Sequence, residues 1–335
     1  MTISPLRIAL AVAALGLHLG SAAAQPAAIS FDITPRAGQH QRQLMDMQML
    51  MKTRVEAGPD ATEEQRAKIA QAQQQMAQMG QMKMGLRMEQ TLKVGQPDQQ
   101  GWLPMTVAVV GKGGQIEVGG NQMPLPQDKK MDLSVDARFN PQDFAFEITQ
   151  VQGATGVDEM LRTKGAGMLT EALQLAKVLS QRPLKVGESV DVPMSMALPM
   201  PIPGGAGKMD SKVRYTLKRV DRGVAYFDLA MDMQIDANTP LPDPAASAAS
   251  AADAAPAAPQ AMNMQLTGTG KGSSTLRLAD RLALSTQLDM DMKMEMQVPN
   301  NSRVFMDMQM KIQSKGEALG KAVGKPAAAP AKKKS

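Results

Sequence analysis

Methionine supplies the most distinctive side chains of this sequence, with 30 residues in 335. A thioether sulfur is a soft ligand that selects Cu(I) or Ag(I), and an unbranched thioether chain is also an adaptable apolar filler. Two side chains at alternate positions of a β-strand lie on one face, about 6.6 Å apart. The methionines that alternate in this way predict a dense thioether surface, and they are 45/47/49/51, 82/84, 194/196, 231/233, 262/264, 290/292/294/296 and 306/308/310.

Three interpretations of this surface remain open. The favoured one is a pliable apolar cavity for acyl chains or another apolar small molecule, because methionine re-packs around varied shapes more readily than rigid residues. The alternative is an envelope structural or assembly protein in which the methionines form an ordinary core. The third is a Cu(I) or Ag(I) buffer, although His40 and Trp102, which could complete such a site, adjoin no methionine run.

The favoured interpretation assigns ligand binding to the alternating methionines and predicts no discrete metal site. The predicted ligand-binding residues are Met45, Met47, Met49, Met82, Met84, Met231, Met233, Met290, Met292, Met294, Met296, Met306, Met308 and Met310. The lipid or apolar ligand itself is not identified by these residues, because a thioether surface recognises shape loosely.

The residue types that catalysis requires are scarce. A hydrolase triad needs a base beside its nucleophile, usually histidine, and His40 is the only histidine after residue 24. Asp46, Asp232, Asp291 and Asp307 alternate with methionines, which places them on the opposite, solvated face rather than in a cleft. The chain has no cysteine, which excludes thiol catalysis and iron–sulfur clusters. We therefore expect no enzyme activity and no cofactor.

A glycine-rich segment from Gly268 to Ser274 has a superficial likeness to a phosphate-binding loop. That loop needs glycine, four residues and then Gly-Lys-Ser/Thr ahead of a helix. Here Gly272 follows Lys271, and Gln265 stands where the first glycine should be. The flanking residues are typical of strands, so we predict a bulge or bend in a long strand instead of a nucleotide site.

The elements that must carry the methionines are predicted to be long β-strands. A helix would scatter alternating methionines around its circumference, and only a strand collects them on one side. Strict alternation of apolar and polar residues marks 45–52, 82–89, 226–235, 288–298 and 304–312. Strands of this length must twist and coil.

Turn residues separate these strands. Val220–Val224 predicts a hairpin in which Gly223 is free to take positive φ, and Asn140–Gln142, Ala279–Arg281 and Pro299–Ser302 predict further reversals. The predicted fold class is mainly β (α+β). It is a long, strongly curved antiparallel sheet or incomplete barrel with two helices and a Met-rich inner face.

Two segments have helical periodicity. The first spans about Pro59–Met79, opened by a capping box of Thr62 and Gln65. Its narrow apolar stripe is Ile69, Ala72, Met76 and Met79. The second spans about Val157–Gln181 and ends before Pro183. Its apolar face, which predicts a buried position, is Leu161, Met168, Ala172, Leu175 and Leu179.

The N-terminus has the pattern of a cleavable export signal. Arg7 supplies the positive charge, an apolar run extends over Ile8–Leu19, and Ser21–Ala24 provides the small residues of a cleavage site. A membrane-spanning helix needs about 20 apolar residues, which this run does not reach. We therefore expect cleavage between Ala24 and Gln25, no transmembrane segment and a periplasmic mature protein.

The mature chain is predicted to form one β-rich domain, residues 25–315, with a disordered Ala/Pro/Ser-rich insertion at 238–260. A flexible basic tail follows at 316–335. The net charge of +5 equals that of residues 315–335, the tail together with Lys315, which contain six lysines and one glutamate. The near-neutral body argues against a nucleic-acid partner, and the tail is a candidate for contact with an anionic envelope surface.

With a signal peptide, long alternating strands and two helical insertions, the chain resembles the periplasmic lipoprotein-carrier class over about Ile29–Gln313. The resemblance lies in layout and composition and transfers no functional residue. It implies an incomplete antiparallel barrel around helices, with an apolar interior that takes acyl chains. The segment Pro183–Val190 also resembles one found in uncharacterised exported β-rich bacterial proteins, which imply no activity.

Overall fold

The computed structural model describes residues 28–125, 132–153, 177–199, 206–240, 261–298 and 302–320. These residues form helix α1 (Glu63–Met79), the last turn of a second helix at 177–181, and twelve strands. The strands are β1 (His40–Ala57), β2 (Met82–Val94), β3 (Leu103–Val118), β4 (Asn121–Pro124), β5 (Leu133–Phe139), β6 (Phe146–Gln152), β7 (Ser189–Pro199), β8 (Ala206–Asp221), β9 (Val224–Pro240), β10 (Ala261–Arg277), β11 (Leu282–Val298) and β12 (Ser302–Ala318).

The twelve strands form one antiparallel sheet. Their order is β6-β5-β3-β2-β1-β12-β11-β10-β9-β8-β7, with β4 paired to β3 outside this path. The pairing of β1 with β12 brings the beginning and end of the described chain together inside the sheet. Among the described strands β6 and β7 are edges, so the sheet is open. This architecture confirms the predicted mainly-β class with an antiparallel sheet that does not close.

The alternating segments are strands throughout, as the two-residue period requires. β9, β10, β11 and β12 each contain 17 residues, a length of roughly 55 Å at about 3.3 Å per residue. The register between β11 and β12 is unbroken from Ser285↔Lys315 to Val298↔Ser302. Such a continuous register fixes which side chains share a face.

Two predicted hairpin turns have the expected backbone. Arg222 (φ 46°) and Gly223 (φ 77°) form the two-residue loop between β8 and β9, and two positive φ values are the signature of a type I′ turn. The chain reverses again between β10 and β11, where Arg281 has φ 57°. Asn140–Gln142 lies in the turn between β5 and β6, while 299–301 lies outside the described residues.

Helix α1 begins as the capping pattern predicts. The Thr62 hydroxyl accepts from the backbone N–H of Gln65, and the Gln65 side chain accepts from the backbone N–H of Thr62. Ile69, Ala72 and Met76 are its half-buried stripe. In the second helix only 177–181 is described, and it ends before Pro183 as predicted. Neither described helical segment is long and apolar enough to cross a membrane.

Three apolar clusters lie on the same face of the sheet. Their strand residues stand directly opposite one another in the strand pairs, or an even number of positions apart along one strand. The strap cluster packs the N-terminal segment and the second helix against the sheet, and it consists of Phe31, Leu179, Leu184, Val190, Leu217, Ala225, Phe227, Leu229 and Leu276. The edge cluster comprises Val94, Leu103, Met105, Ala137, Phe139 and Phe146. The methionine cluster is centred on Leu266, Met290, Met292 and Met308.

The N-terminal strap, residues 29–39, is fixed at several points in its first half. Ile29 forms a β-bridge with Leu184, and Phe31 is fully buried with its ring 5.2 Å from that of Phe227. Arg281 donates from Nη1 to both the backbone oxygen (2.8 Å) and the hydroxyl (2.6 Å) of Thr34, and from Nη2 to Asp32. The strap therefore covers one end of the face that carries the three clusters.

The structure corrects one predicted bulge and two predicted boundaries. β10 keeps its register from Asn263 to Thr275, so the predicted bulge or bend at Gly268–Ser274 is wrong. The register shift lies one step later, between Thr275 and Leu276. Residues 238–240 continue β9 and 316–318 continue β12, so neither the insertion nor the tail begins where predicted. Residues 1–27, 154–176, 241–260 and 321–335, with their predicted signal, helix, insertion and tail, lie outside the described residues.

Candidate functional site

The register places all fourteen predicted ligand-binding methionines on one face of the sheet, which we call the Met face. Residues directly opposite each other in an antiparallel pair share a face. The clearest example is a row of four methionines across four strands, Met292↔Met308 (β11–β12), Met308↔Met51 (β12–β1) and Met51↔Met82 (β1–β2). The parallel row runs Met290↔Met310, Met310↔Met49 and Met49↔Met84.

The methionines of β9 join the same face through β10. Gly268 lies opposite both Met292 on β11 and Met233 on β9, and Gly270 lies opposite both Met290 and Met231. The remaining predicted residues follow by strand parity. They are Met45 and Met47 on β1, Met294 and Met296 on β11, and Met306 on β12.

The structure brings only part of this set into one packed cluster. Around the buried Met290, Met292, Met308 and Leu266, the half-buried neighbours are Met51, Met231, Met233, Ile235, Leu288, Met294, Met306 and Met310. Met45, Met47, Met49, Met82, Met84 and Met296 lie on the same face without belonging to that cluster. The cluster also contains Leu266, Ile235 and Leu288, which are not among the predicted ligand-binding residues.

A line of glycines runs through the middle of the Met face. Gly268, Gly270 and Gly272 of β10 form what we call the glycine furrow. A Cβ atom at Gly268 would lie 2.9 Å from Cγ of Met292 and 3.4 Å from Cε of Met233. At Gly270 it would lie 3.1 Å from Cγ of Met290. Beside Gly268 and Gly270, methionines from the two flanking strands thus fill the space that side chains of β10 would otherwise take.

The opposite side of the sheet, the polar face, carries charges in cross-strand pairs. Arg87 contacts Asp46 at 2.6 Å and Lys83 contacts Glu117 at 2.8 Å. The hydrogen bond from Lys83 is the main reason that the pKa of Glu117 is lowered. As predicted, Asp232, Asp291 and Asp307 are exposed on this face. Opposite charges placed directly across a strand pair stabilise the pairing modestly.

The polar face also holds surface depressions that the sequence did not indicate. One of about 600 Å³ is lined by Lys52, Thr267, Asp291, Lys293 and Asp307, among others. A neighbouring one of about 390 Å³ shares Leu50 and Gln309 with it. Most of their lining residues alternate with the methionines along each strand, so these depressions open mainly on the side opposite to the Met face. Gly268, Met292 and Met308 also border the first depression, and Met49 and Met84 border the second.

The His, Asp and Glu residues that the structure describes are dispersed. No group of three or more His, Asp or Glu residues in that part of the chain could hold a metal ion. His40 lies at the start of β1 opposite Lys93, and the Trp102 ring lies 4.6 Å from the Arg138 guanidinium. Neither residue belongs to the methionine cluster, so neither completes a thioether site there.

Three groups with shifted pKa values lie in structural contacts. Tyr215 packs in the strap cluster, and burial raises its pKa to about 12. Arg214 donates two hydrogen bonds to Asp191, which lowers the pKa of that carboxyl group. Arg277 does the same to Asp280 beside the β10–β11 turn. These pairs are at the surface and have no nucleophile among their hydrogen-bond partners.

The chain matches no protein-family model and no curated protein sequence. Similar solved structures include OpdL of Pseudomonas aeruginosa (7% identity, 84% of this chain and 99% of that chain, TM-score 0.24) and OccK5 (OpdH) of the same organism (8%, 85%, 100%, TM-score 0.22). A BenF-like porin from Pseudomonas fluorescens Pf-5 gives 8% identity, 84% and 98% coverage and a TM-score of 0.15. At such TM-scores the likeness establishes neither a shared fold nor a shared function.

Proposed function

We propose that the mature protein is a non-enzymatic periplasmic protein that binds an apolar or lipidic ligand, such as an acyl chain, on its Met face. The export signal at 1–24 supports the location. The proposal depends on one observation. A single apolar face carries the methionine side chains and the glycine furrow, and it is only partly buried. An envelope structural role, with the same methionines as ordinary core, is the competing explanation.

Residue types along that face favour binding over an ordinary core. The strap and edge clusters use aromatic residues, with Phe31 and Phe227 in the first and Phe139 and Phe146 in the second. Met105 is the one methionine among the members of these two clusters within the described residues. A chain that used methionine simply as its large apolar filler would have placed it there too. Methionine is instead concentrated where the surface stays partly open.

The glycine furrow gives that open region a means of changing shape. At Gly268 and Gly270 the furrow is filled mainly by methionine atoms, and Cε of Met233 is the far end of its unbranched chain. Such chains change rotamer at little cost and expose a groove in β10 when they swing aside. A bound alkyl chain can take the place of the methionine ends, with each buried methylene contributing about 0.8 kcal/mol.

Non-enzymatic action is supported by the charge distribution. Carboxylates of β11 and β12, including Asp289, Asp291 and Asp307, lie on the polar face and are exposed. A general acid or base requires a protected position near the reacting group. The Met face, where a ligand would be desolvated, contains thioethers and aliphatic side chains at the centre of the cluster.

The proposal is tested by titrating the mature protein with the fluorescent fatty acid 11-(dansylamino)undecanoic acid. Met294 and Met306 are half-buried cross-strand neighbours on the Met face. The double variant Met294→Gln/Met306→Gln replaces two thioethers with amides, which a buried alkyl chain would leave without hydrogen-bond partners. We expect its affinity for the probe to fall at least tenfold relative to the wild type.

The matched control uses the adjacent positions on the polar face. Lys293 and Asp307 are also cross-strand neighbours and are exposed. The variant Lys293→Gln/Asp307→Gln introduces the same two amides without touching the Met face, so its affinity should stay within twofold of the wild type. A wild-type protein that does not bind the probe, or equal losses in both double variants, would favour the structural role. Thermal unfolding of both variants checks that each remains folded.

A further inference from the structure

One row of the Met face passes from buried to exposed across four neighbouring strands. Met292 on β11 and Met308 on β12 are 7% and 9% exposed. Met51 on β1 is half-buried, and Met82 at the start of β2 is 38% exposed. Directly paired strands are about 4.8 Å apart, so the row spans about 14 Å. Met292, Met308 and Met51 therefore each have a more exposed thioether beside them on the β2 side.

Thioether chemistry turns this gradient of exposure into a gradient of reactivity. Hydrogen peroxide transfers one oxygen atom to a methionine sulfur, which loses two electrons as a sulfoxide forms and water leaves. The reaction requires peroxide and solvent to reach the sulfur, and the sulfoxide is polar where the thioether was apolar. A sulfoxide at Met82 would draw water to the position beside Met51.

We propose that the row Met82, Met51, Met308 and Met292 is a sequential peroxide-oxidation site, modified first at Met82 and then inward. Resting on the proposed function, the same oxidation also lowers the affinity of the Met face for apolar ligands. The row crosses the methionine cluster at Met308 and Met292, so oxidation that advances inward places polar groups where a ligand's alkyl chain would lie. Peroxide would then release the ligand.

The order of oxidation is measured by exposing the mature protein to hydrogen peroxide and mapping sulfoxides by tandem mass spectrometry over time. Met123 on β4 is 52% exposed and lies outside the row, so it reports the rate at an open position. We expect Met82 to react within a fewfold of Met123, Met51 more slowly, and Met292 at least tenfold more slowly than Met82. Oxidation of Met292 as fast as that of Met82 would overturn the proposal.

A substitution separates sequential oxidation from independent oxidation of each residue. Met82→Leu keeps the position apolar and cannot be oxidised, so the rate at Met51 should fall at least threefold if Met82 must react first. Met123→Leu is the matched control and should leave the Met51 rate unchanged. A Met51 rate that is the same in Met82→Leu and in the wild type would show that the residues react independently, which contradicts the proposal.

The second part of the proposal is that oxidation lowers the affinity for apolar ligands. It is tested by measuring the binding of 11-(dansylamino)undecanoic acid after catalase has removed the peroxide. Protein oxidised at Met82 and Met51 should bind the probe at least fivefold more weakly than untreated protein. Unchanged affinity after oxidation would overturn this second part of the proposal. If untreated protein does not bind the probe, the proposed function fails, while the order of oxidation is still decided by the peptide map.

Discussion

Gly272 of β10 lies so close to β11 that a Cβ atom on it would be 2.0 Å from the backbone oxygen of Gln287. Gly270, two residues earlier on the same face, is different. Its Cβ would meet side-chain atoms of Met290, Leu288 and Met231 at 3.1 to 3.4 Å. At Gly272 the backbone of β11 thus leaves no room for a side chain. At Gly270 the space is occupied by side chains that can move.

This difference predicts unequal effects for one substitution at two positions. Gly272→Ala forces the two strands apart, and we expect it to lower the free energy of unfolding by about 2–3 kcal/mol, a typical cost of overpacking. Gly270→Ala requires only that the Met290 side chain, whose Cγ would lie 3.1 Å away, moves by a few tenths of an ångström, because Leu288 and Met231 would lie at 3.4 Å. Its cost should therefore be less than about 1 kcal/mol. Urea unfolding of both variants makes the comparison. Equal losses in the free energy of unfolding would mean that backbone contacts restrict the space at both glycines.

The position of the glycine furrow could not be predicted by the rule that was applied to the sequence. Isolated glycines in a strand usually mark bulges, and that rule led to a wrong prediction at Gly268–Ser274. The alternation of these glycines with polar residues along the strand was the more informative signal. Gly268, Gly270 and Gly272 continue the alternation of Met262, Met264 and Leu266, so they belong to the apolar face and make room for neighbouring methionines.

Local periodicity predicted which side chains share a face, because parity along a strand depends on the strand alone. It could not predict which strands are neighbours. The pairing of β1 with β12 joins segments more than 240 residues apart, and the contact of Arg281 with Asp32 spans 249 positions. Such contacts depend on the whole chain, and neither residue type nor spacing indicates them in advance.

The contact between Arg281 and the strap predicts a large effect from one polar substitution. The Arg281 side chain is 11% exposed and provides three of the hydrogen bonds that hold Thr34 and Asp32. Arg281→Gln leaves the buried Thr34 groups without a donor, and we expect a loss of about 2–3 kcal/mol in the free energy of unfolding.

Two further variants show whether this loss is specific to the strap. Arg281→Lys keeps the charge but not the forked geometry, so its effect should be intermediate. Arg277→Gln removes a more exposed ion pair with Asp280 on the same turn and should cost no more than about 1 kcal/mol. Hydrogen exchange at Ile29 and Phe31 should quicken in Arg281→Gln. Unchanged protection there would contradict anchoring by Arg281.

Tyr215 predicts a specific loss of stability in alkali. Burial raises the pKa of its hydroxyl from 10.0 to about 12, so the folded protein holds this proton more tightly than the unfolded chain. The stabilising contribution is complete below pH 10 and disappears as the pH rises from 10 towards 12, by up to about 3 kcal/mol. Tyr215→Phe should lack this component.

The measurement is the free energy of unfolding of both proteins between pH 8 and pH 12, because subtraction removes the titration of other groups. Tyr226→Phe is the matched control on the neighbouring strand. It should retain the alkaline loss seen in the wild type. If the wild type and Tyr215→Phe have parallel profiles, the Tyr215 hydroxyl ionises as freely in the folded protein as in the unfolded chain.

Replacing four sulfurs on β11 separates alkyl binding from soft-metal binding. In the variant with Met290, Met292, Met294 and Met296 all changed to Leu, the apolar volume is conserved while every thioether of this strand is lost, at a cost usually below about 1.5 kcal/mol for each swap. If the Met face binds alkyl chains, affinity for 11-(dansylamino)undecanoic acid should stay within about fivefold of the wild type. Competition for Cu(I) against bicinchoninate should not distinguish the two proteins. Removal of Cu(I) from the chelator by the wild type alone would favour a thioether metal buffer, because Leu retains the shape of the surface but not its donor atoms.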